Sequence, residues 1–123
     1  MKTNESAEDY LETILLLSKK LPVVRSVDIA NELGFKKSSV SVAMKKLRES
    51  DQITVTDAGY IYLTDEGQAL AEKVYERHHV FTTFLTSLGV DAEVAENDAC
   101  RIEHVISEES FQAFKRYIEK NNA

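Results

Sequence analysis

At 123 residues, 43% of them hydrophobic and 29% charged, with 4 Gly and 1 Pro, the chain is the size of one mostly helical globular unit that can bury a core without covalent staples. A formal net charge of -6 excludes a general polycation, and a single Cys excludes an intramolecular disulfide framework. No apolar run approaches the roughly 18 residues of a membrane span, and the charged start Met1-Lys2-Thr3-Asn4-Glu5 is unlike a signal peptide, so the expected compartment is the cytoplasm and no membrane partner is expected.

From Ser6 to Lys20 the apolar positions Tyr10, Ile14 and Leu17, flanked by Leu11 and Leu15, recur at helical spacing. Ser6 followed by Asp9 predicts a capped start, and Pro22 marks the end. Asp9 and Glu12 fall one turn apart on a single face, either a solvated acidic face or a pair of ligands. Ser26 is expected to cap a short helix through Leu33, with Ile29, Ala30 and Leu33 inward and Gly34 supplying the left-handed stop. A second helix is predicted from about Ser38 to Glu49, with Val40, Met44 and Leu47 inward. Two short helices joined by a glycine-containing turn make a helix-turn-helix pattern. The outward face of the second carries Ser38, Ser39, Ser41, Val42 and Lys45, with Lys46 and Arg48 beside it. Small hydroxylated residues permit close approach to base edges and phosphates, and the lysines neutralise backbone charge. Ser26, Lys36 and Lys37 extend this candidate DNA-binding set. Between Val23 and Ser50 six basic residues face three acidic ones, a local sign opposite to that of the whole chain.

Ile53-Thr54-Val55-Thr56 and Tyr60-Ile61-Tyr62-Leu63, separated by Asp57-Ala58-Gly59, predict a β-hairpin. Helix-turn-helix followed at once by a hairpin is the winged-helix order, although Asp57 at the wing tip is a poor phosphate contact. Thr64 to Leu88 reads as a long helix whose stripe Val74, His78, Phe81 and Leu85 places His78 inward. An inward His is either a satisfied core residue or a ligand. Gly89 breaks this helix, and Asp91 opens the next, which carries Cys100, Glu103 and His104 at i, i+3 and i+4. The last helix, Glu109 to Lys120, bears an aromatic stripe of Phe111, Phe114 and Tyr117 with Ile118, suited to helix packing or a subunit interface. The fold class expected is therefore mainly α, with an N-terminal winged helix-turn-helix and a following helical region.

Asp9, Glu12, His78, Cys100, Glu103 and His104 combine carboxylate, imidazole and one thiolate. That set suits a divalent transition ion of intermediate softness, Mn(II), Fe(II), Co(II) or Ni(II), with Zn(II) also able to bind. A structural zinc site more often shows several Cys at short spacing. No HExxH, nucleophile elbow or Gly-rich phosphate loop is present, so the constellation reads as a switch rather than as an enzyme site. Two other readings remain open at this point: a winged-helix regulator that senses redox state through Cys100, and an interaction module that retains the fold without binding DNA.

Ser6-Ala7-Glu8-Asp9-Tyr10-Leu11-Glu12, the helix-turn-helix with Asp28-Ile29-Ala30, and Asn97-Asp98-Ala99-Cys100-Arg101-Ile102-Glu103-His104-Val105 resemble the metal-dependent repressors of the diphtheria-toxin-repressor and manganese-transport-regulator family. The resemblance covers nearly the whole chain. It implies a homodimeric transcriptional repressor that binds Fe(II) or Mn(II) and then a DNA operator, expected to be palindromic, controlling metal-homeostasis genes. It implies a winged helix over residues 1–70 and a metal-binding and dimerisation region over 71–123. Asp9 and Glu12 match manganese-type ligands, His78, Glu103 and His104 match ligands of both types, and Cys100 matches the iron-type ligand where manganese-type proteins carry Glu. At the ancillary iron-type site the family's His and Glu are Glu96 and Thr82 here, leaving Glu96 as a further oxygen donor. The short form, ending before the SH3-like domain of the longer iron-type proteins, resembles the manganese-type architecture, whereas the softer Cys100 donor tilts the expectation toward Fe(II).

Overall fold

In the computed structural model, which describes residues 2–121 and the side chains of residues 7–121, the apolar repeat near the N-terminus forms helix α1 (Lys2–Ser18). It starts ahead of the expected Ser6 cap, because no Gly or Pro between Lys2 and Ser6 stops the helix; the Ser6 side chain lies outside the described residues. The chain divides into two compact units, Met1–Lys73 and Val74–Ala123.

In the first unit, α1 buries Tyr10, Leu11, Ile14, Leu15 and Leu17, one helical stripe. This stripe joins Ile29 and Ala30 of α2 (Ser26–Leu33) and Val40, Met44 and Leu47 of α3 (Lys37–Glu49) in one apolar cluster. The cap of α2 differs from expectation. Arg25 is the N-cap, extended at φ -125° and ψ 165°, and Ser26 is already helical. The start is fixed from inside the helix: the Asp28 carboxylate accepts from the Arg25 backbone N–H at 2.9 Å. At the other end Gly34 takes the left-handed conformation, φ 71°, and the N–H groups of Gly34 and Phe35 both reach the Ala30 carbonyl, at 2.9 and 3.1 Å. That turn delivers the chain into α3 within a few residues.

Strands β1 (Ile53–Val55) and β2 (Ile61–Leu63) pair antiparallel, with Ile53 opposite Leu63, Thr54 opposite Tyr62 and Val55 opposite Ile61. The Ile61 N–H also donates to the Val24 carbonyl at 2.8 Å, tying the approach to α2 onto the hairpin. Ile53 and Ile61 point into the cluster, while Thr54 and Tyr62 face solvent, as period-two alternation requires.

Helix α4 (Asp65–Ser87) begins on Thr64, whose Oγ1 accepts from the Gly67 N–H at 3.1 Å and donates to the Asp51 carbonyl at 2.7 Å. Helices α5 (Ala92–Val105) and α6 (Glu108–Asn121) complete the second unit. Asp91 caps α5 by accepting from the Glu93 N–H at 3.2 Å, and Ser107 Oγ accepts from the Ser110 N–H at 3.1 Å at the start of α6. The apolar cluster here is smaller. Phe81, Ala99 and Phe111 are buried, with Val80, Ile102 and Ile106 packed against them. The Phe81 ring meets Phe111 at 5.9 Å and Phe114 at 5.5 Å between centroids, the latter edge-on. The aromatic stripe of α6 is thus divided: Phe111 is core, and Tyr117 stays 60% exposed.

Gly67 sits where a side chain cannot. A Cβ there would lie 2.0 Å from the Gln52 carbonyl oxygen, a backbone atom that also accepts from the Thr64 N–H at 3.1 Å and so cannot swing away. Ala for Gly inside a helix ordinarily stabilises by about 0.5–1 kcal/mol, whereas forced overpacking costs about 1–3 kcal/mol. Gly67→Ala is therefore expected to lower the unfolding midpoint in urea; a rise would show that the hairpin-to-α4 junction yields easily.

Candidate metal centre and nucleic-acid interface

The chemistry of the second unit centres on a carboxylate. Glu103, in the last turn of α5, has a side chain with no exposed surface. Its Oε1 lies 2.7 Å from His78 Nδ1 on α4, and its Oε2 lies 3.5 Å from Nε2 of His104, whose side chain is 2% exposed. A carboxylate has only acceptors to offer, so the proton in this contact is carried by His78 Nδ1. An ionised carboxylate removed from water costs several kcal/mol unless charge and hydrogen bonds compensate. Here each oxygen faces an imidazole nitrogen. Two imidazoles and one carboxylate, largely withdrawn from solvent, are a donor set that fits a divalent transition ion.

A residue that the sequence reading did not single out holds this cluster. Arg77, 8% exposed, donates through Nη1 to the Glu103 carbonyl at 3.1 Å and the Ile106 carbonyl at 2.9 Å, and through Nη2 to Glu108 Oε1 at 2.9 Å. Its guanidinium carbon stands 5.3 Å from the centre of the Phe111 ring. The only available signal was an Arg next to two His residues, which reads equally well as surface charge.

The remaining expected ligands fall as follows. Cys100 is exposed on α5, one turn before Glu103, and Glu96 is exposed a further turn back. Thr82, on α4, keeps a buried Oγ1 for which no hydrogen-bond partner is found among the described residues. In the first unit Asp9 and Glu12 are half-buried on one face of α1, and Tyr10 between them is core. Burial raises the Tyr10 hydroxyl pKa above the usual phenol value.

The candidate nucleic-acid face is exposed as the sequence requires. Lys36, Lys37, Ser38, Ser39, Ser41, Lys45 and Lys46 are all exposed, Val42 is 56% exposed, and Ser26 is half-buried at the first turn of α2. Ser38 and Ser39 lie in the first turn of α3, where unpaired backbone N–H groups favour phosphate. Arg25 stacks over the wing residue Tyr60, 4.9 Å from guanidinium carbon to ring centre, and donates to its hydroxyl at 3.3 Å. The wing is thereby fastened to the start of α2.

Known proteins match both parts of the chain, the winged helix and the helical unit that follows it. Residues 2–57 match the N-terminal DNA binding domain of the iron dependent repressors, and residues 64–122 match the metal binding and dimerisation domain of the same proteins. The chain belongs to the iron dependent repressor family, a family of transcriptional regulators and not of enzymes. It is 36% identical over 119 residues to the transcriptional regulator MntR of Escherichia coli O6:H1, covering 97% of this chain and 77% of that protein. The HTH-type transcriptional regulator MntR of Bacillus subtilis strain 168 is 32% identical over 124 residues, covering 98% and 87%. The solved structure of the manganese regulator SloR matches with a TM-score of 0.82 at 27% identity. That match covers 92% of this chain and 53% of the other, so this chain spans about half the length of SloR. Among the described residues no helix is long and apolar enough to cross a membrane.

Replacing Lys45 and Lys46 together by Ala is expected to weaken binding to all duplexes alike. Each lost phosphate contact lowers the slope of log affinity against log salt by about 0.9, so titrations at several salt concentrations should lose nearly two units of slope. An unchanged slope would remove both lysines from the interface.

Proposed function

We propose that this chain is a cytoplasmic, homodimeric repressor whose binding to a palindromic operator of metal-homeostasis genes is switched on by Mn(II) or Fe(II). The observation that carries the reading is the buried Glu103 carboxylate, with its two oxygens turned to His78 and His104. Glu103, His104 and His78 are assigned as ligands, with Cys100 as the thiolate donor, Asp9 and Glu12 as the carboxylates of α1, and Glu96 as a further oxygen donor. When bound, a divalent ion would supply positive charge to compensate these carboxylates. The residues do the rest. Glu103 and His104 offer their donors from a buried turn, and His78 turns its ring by hydrogen-bonding through Nδ1. Helix α3 is assigned to the major groove, with Ser38, Ser39, Ser41 and Val42 toward base edges and phosphates. Ser26, Lys36, Lys37, Lys45 and Lys46 are assigned to the backbone.

Metal identity turns on Cys100. The similar protein SloR is a manganese regulator, which supports Mn(II), while a thiolate among oxygen and nitrogen donors supports a softer ion. A second reading, redox sensing, draws on the exposure of Cys100. Loss of an oxidant response in Cys100→Ser, with no metal response in the parent protein, would favour it.

Operator binding measured anaerobically by fluorescence anisotropy should tighten on adding Mn(II) or Fe(II), by the 5- to 150-fold typical of such coupling, about 1–3 kcal/mol. His104→Ala should abolish that gain and leave the metal-free affinity unchanged. Equal affinity with and without ion in the parent protein would end the metal-switch reading. Cys100→Glu should shift activation from Fe(II) toward Mn(II) in competition titrations, and an unchanged metal order would take Cys100 out of the site.

A further inference from the structure

We infer that Arg77 is a positioning residue for the metal centre, holding the backbone of Glu103 while His78, its neighbour in sequence, holds the side chain. The inference rests on the ligand assignment above and extends it to a group that does not itself touch an ion. The last carbonyls of a helix have no intrahelical partner, and α5 ends at Val105. The Glu103 carbonyl is one of those orphans, and Arg77 Nη1 supplies its donor at 3.1 Å. The same nitrogen holds the Ile106 carbonyl in the turn that follows, at 2.9 Å. Nη2 holds the Glu108 carboxylate in the first turn of α6, and that carboxylate also accepts from Gln112 Nε2 at 2.9 Å.

One planar guanidinium therefore fixes the end of α5, the α5–α6 turn and the start of α6 against α4. The consequence for Glu103 is a two-point attachment to consecutive residues of one helix, its carbonyl to Arg77 and its carboxylate to His78. With both ends held, the carboxylate has little freedom to rotate away. A ligand oxygen so placed meets an ion without first losing rotamer entropy, which is what groups supporting a metal's ligands contribute. A Lys at this position carries one compact ammonium and cannot span three acceptors on two elements in the plane that the fork provides.

The test uses the full chain. Arg77→Met, Arg77→Lys and His104→Ala are compared with the parent for Mn(II) and Co(II) affinity by chelator competition. The visible absorption spectrum of each Co(II)-saturated protein is then recorded. Arg77→Met is expected to weaken both ions about 10- to 100-fold and to alter the Co(II) spectrum even at saturation, with helical circular dichroism and metal-free DNA binding kept. Arg77→Lys should fall between Met and the parent. A residue that merely stabilised the fold would leave the saturated spectrum unchanged, so parent-like affinity and spectrum in a folded Arg77→Met overturn the inference. If His104→Ala has lost its metal in the same experiment, the ligand assignment survives that outcome. Parent-like affinity in His104→Ala overturns the ligand assignment, and the Arg77 inference with it. Should Arg77→Met not fold, Glu108→Gln takes its place, since Glu108 is half-exposed and its loss leaves both carbonyl bonds intact. A smaller loss of affinity with a changed Co(II) spectrum supports the inference, and a parent-like spectrum there overturns it.

Discussion

A carboxylate with no exposed surface is the constraint on which the second unit depends. Glu103 is tolerable only if its oxygens meet positive or hydrogen-bonding groups, because one unpaired buried charge costs several kcal/mol out of a total stability of about 5–15 kcal/mol. Its partners come from the same helix stripes that make the apolar core. His78 stands three residues before Phe81 on α4, and Ala99 stands four residues before Glu103 on α5, so each helix presents one core residue and one polar residue on adjoining turns. Packing Phe81 against Phe111 and Ala99 brings the imidazole and the carboxylate together as a by-product. Core and candidate site are two ends of a single helix contact.

The two units spend sequence differently. In the first, the apolar cluster runs through every element, from Tyr10 on α1 to Ala71 on α4. In the second, the buried cluster is Phe81, Ala99 and Phe111, while Leu88, Val105 and Tyr117 are 64%, 75% and 60% exposed. This part of the chain matches a metal binding and dimerisation domain. The DNA-binding unit has a continuous apolar core, reinforced by hydrogen bonds at its caps and between its elements.

Much of this was legible in the sequence, and the physical reason is locality. The helix-turn-helix, the hairpin and the starts of α4 and α5 rest on signals within a few residues: Gly34, Asp57-Ala58-Gly59, Thr64 and Asp91. What escaped depends on distant or backbone partners. Arg25 rather than Ser26 caps α2 because Asp28 reaches back to a backbone N–H, and a side chain acting from inside the helix outweighs the better cap type. Arg77 was invisible because two of its three acceptors are carbonyls and the third lies 31 residues on. Helical spacing correctly put Cys100, Glu103 and His104 on one side of α5 but could not give their depth. Glu103 and His104 have buried side chains and Cys100 is exposed, since depth depends on what covers each turn.

The charge distribution limits how an ion acts in the proposed switch. The segment from Val23 to Ser50 carries six basic and three acidic residues whether or not metal is bound, so sequence-independent attraction to phosphates exists in both states. A divalent ion adds two positive charges to a chain of formal charge -6, and beyond about 8 Å at physiological ionic strength such an addition is largely screened. Geometry is a further means in the proposed switch: a palindrome is read by two recognition helices about 34 Å apart, and an ion that joins ligands from several helices would bias a dimer toward that spacing. In the same proposal the Cys100 thiolate would bias the choice of ion by its softness, while the buried Glu103 carboxylate would supply the charge that favours any divalent cation.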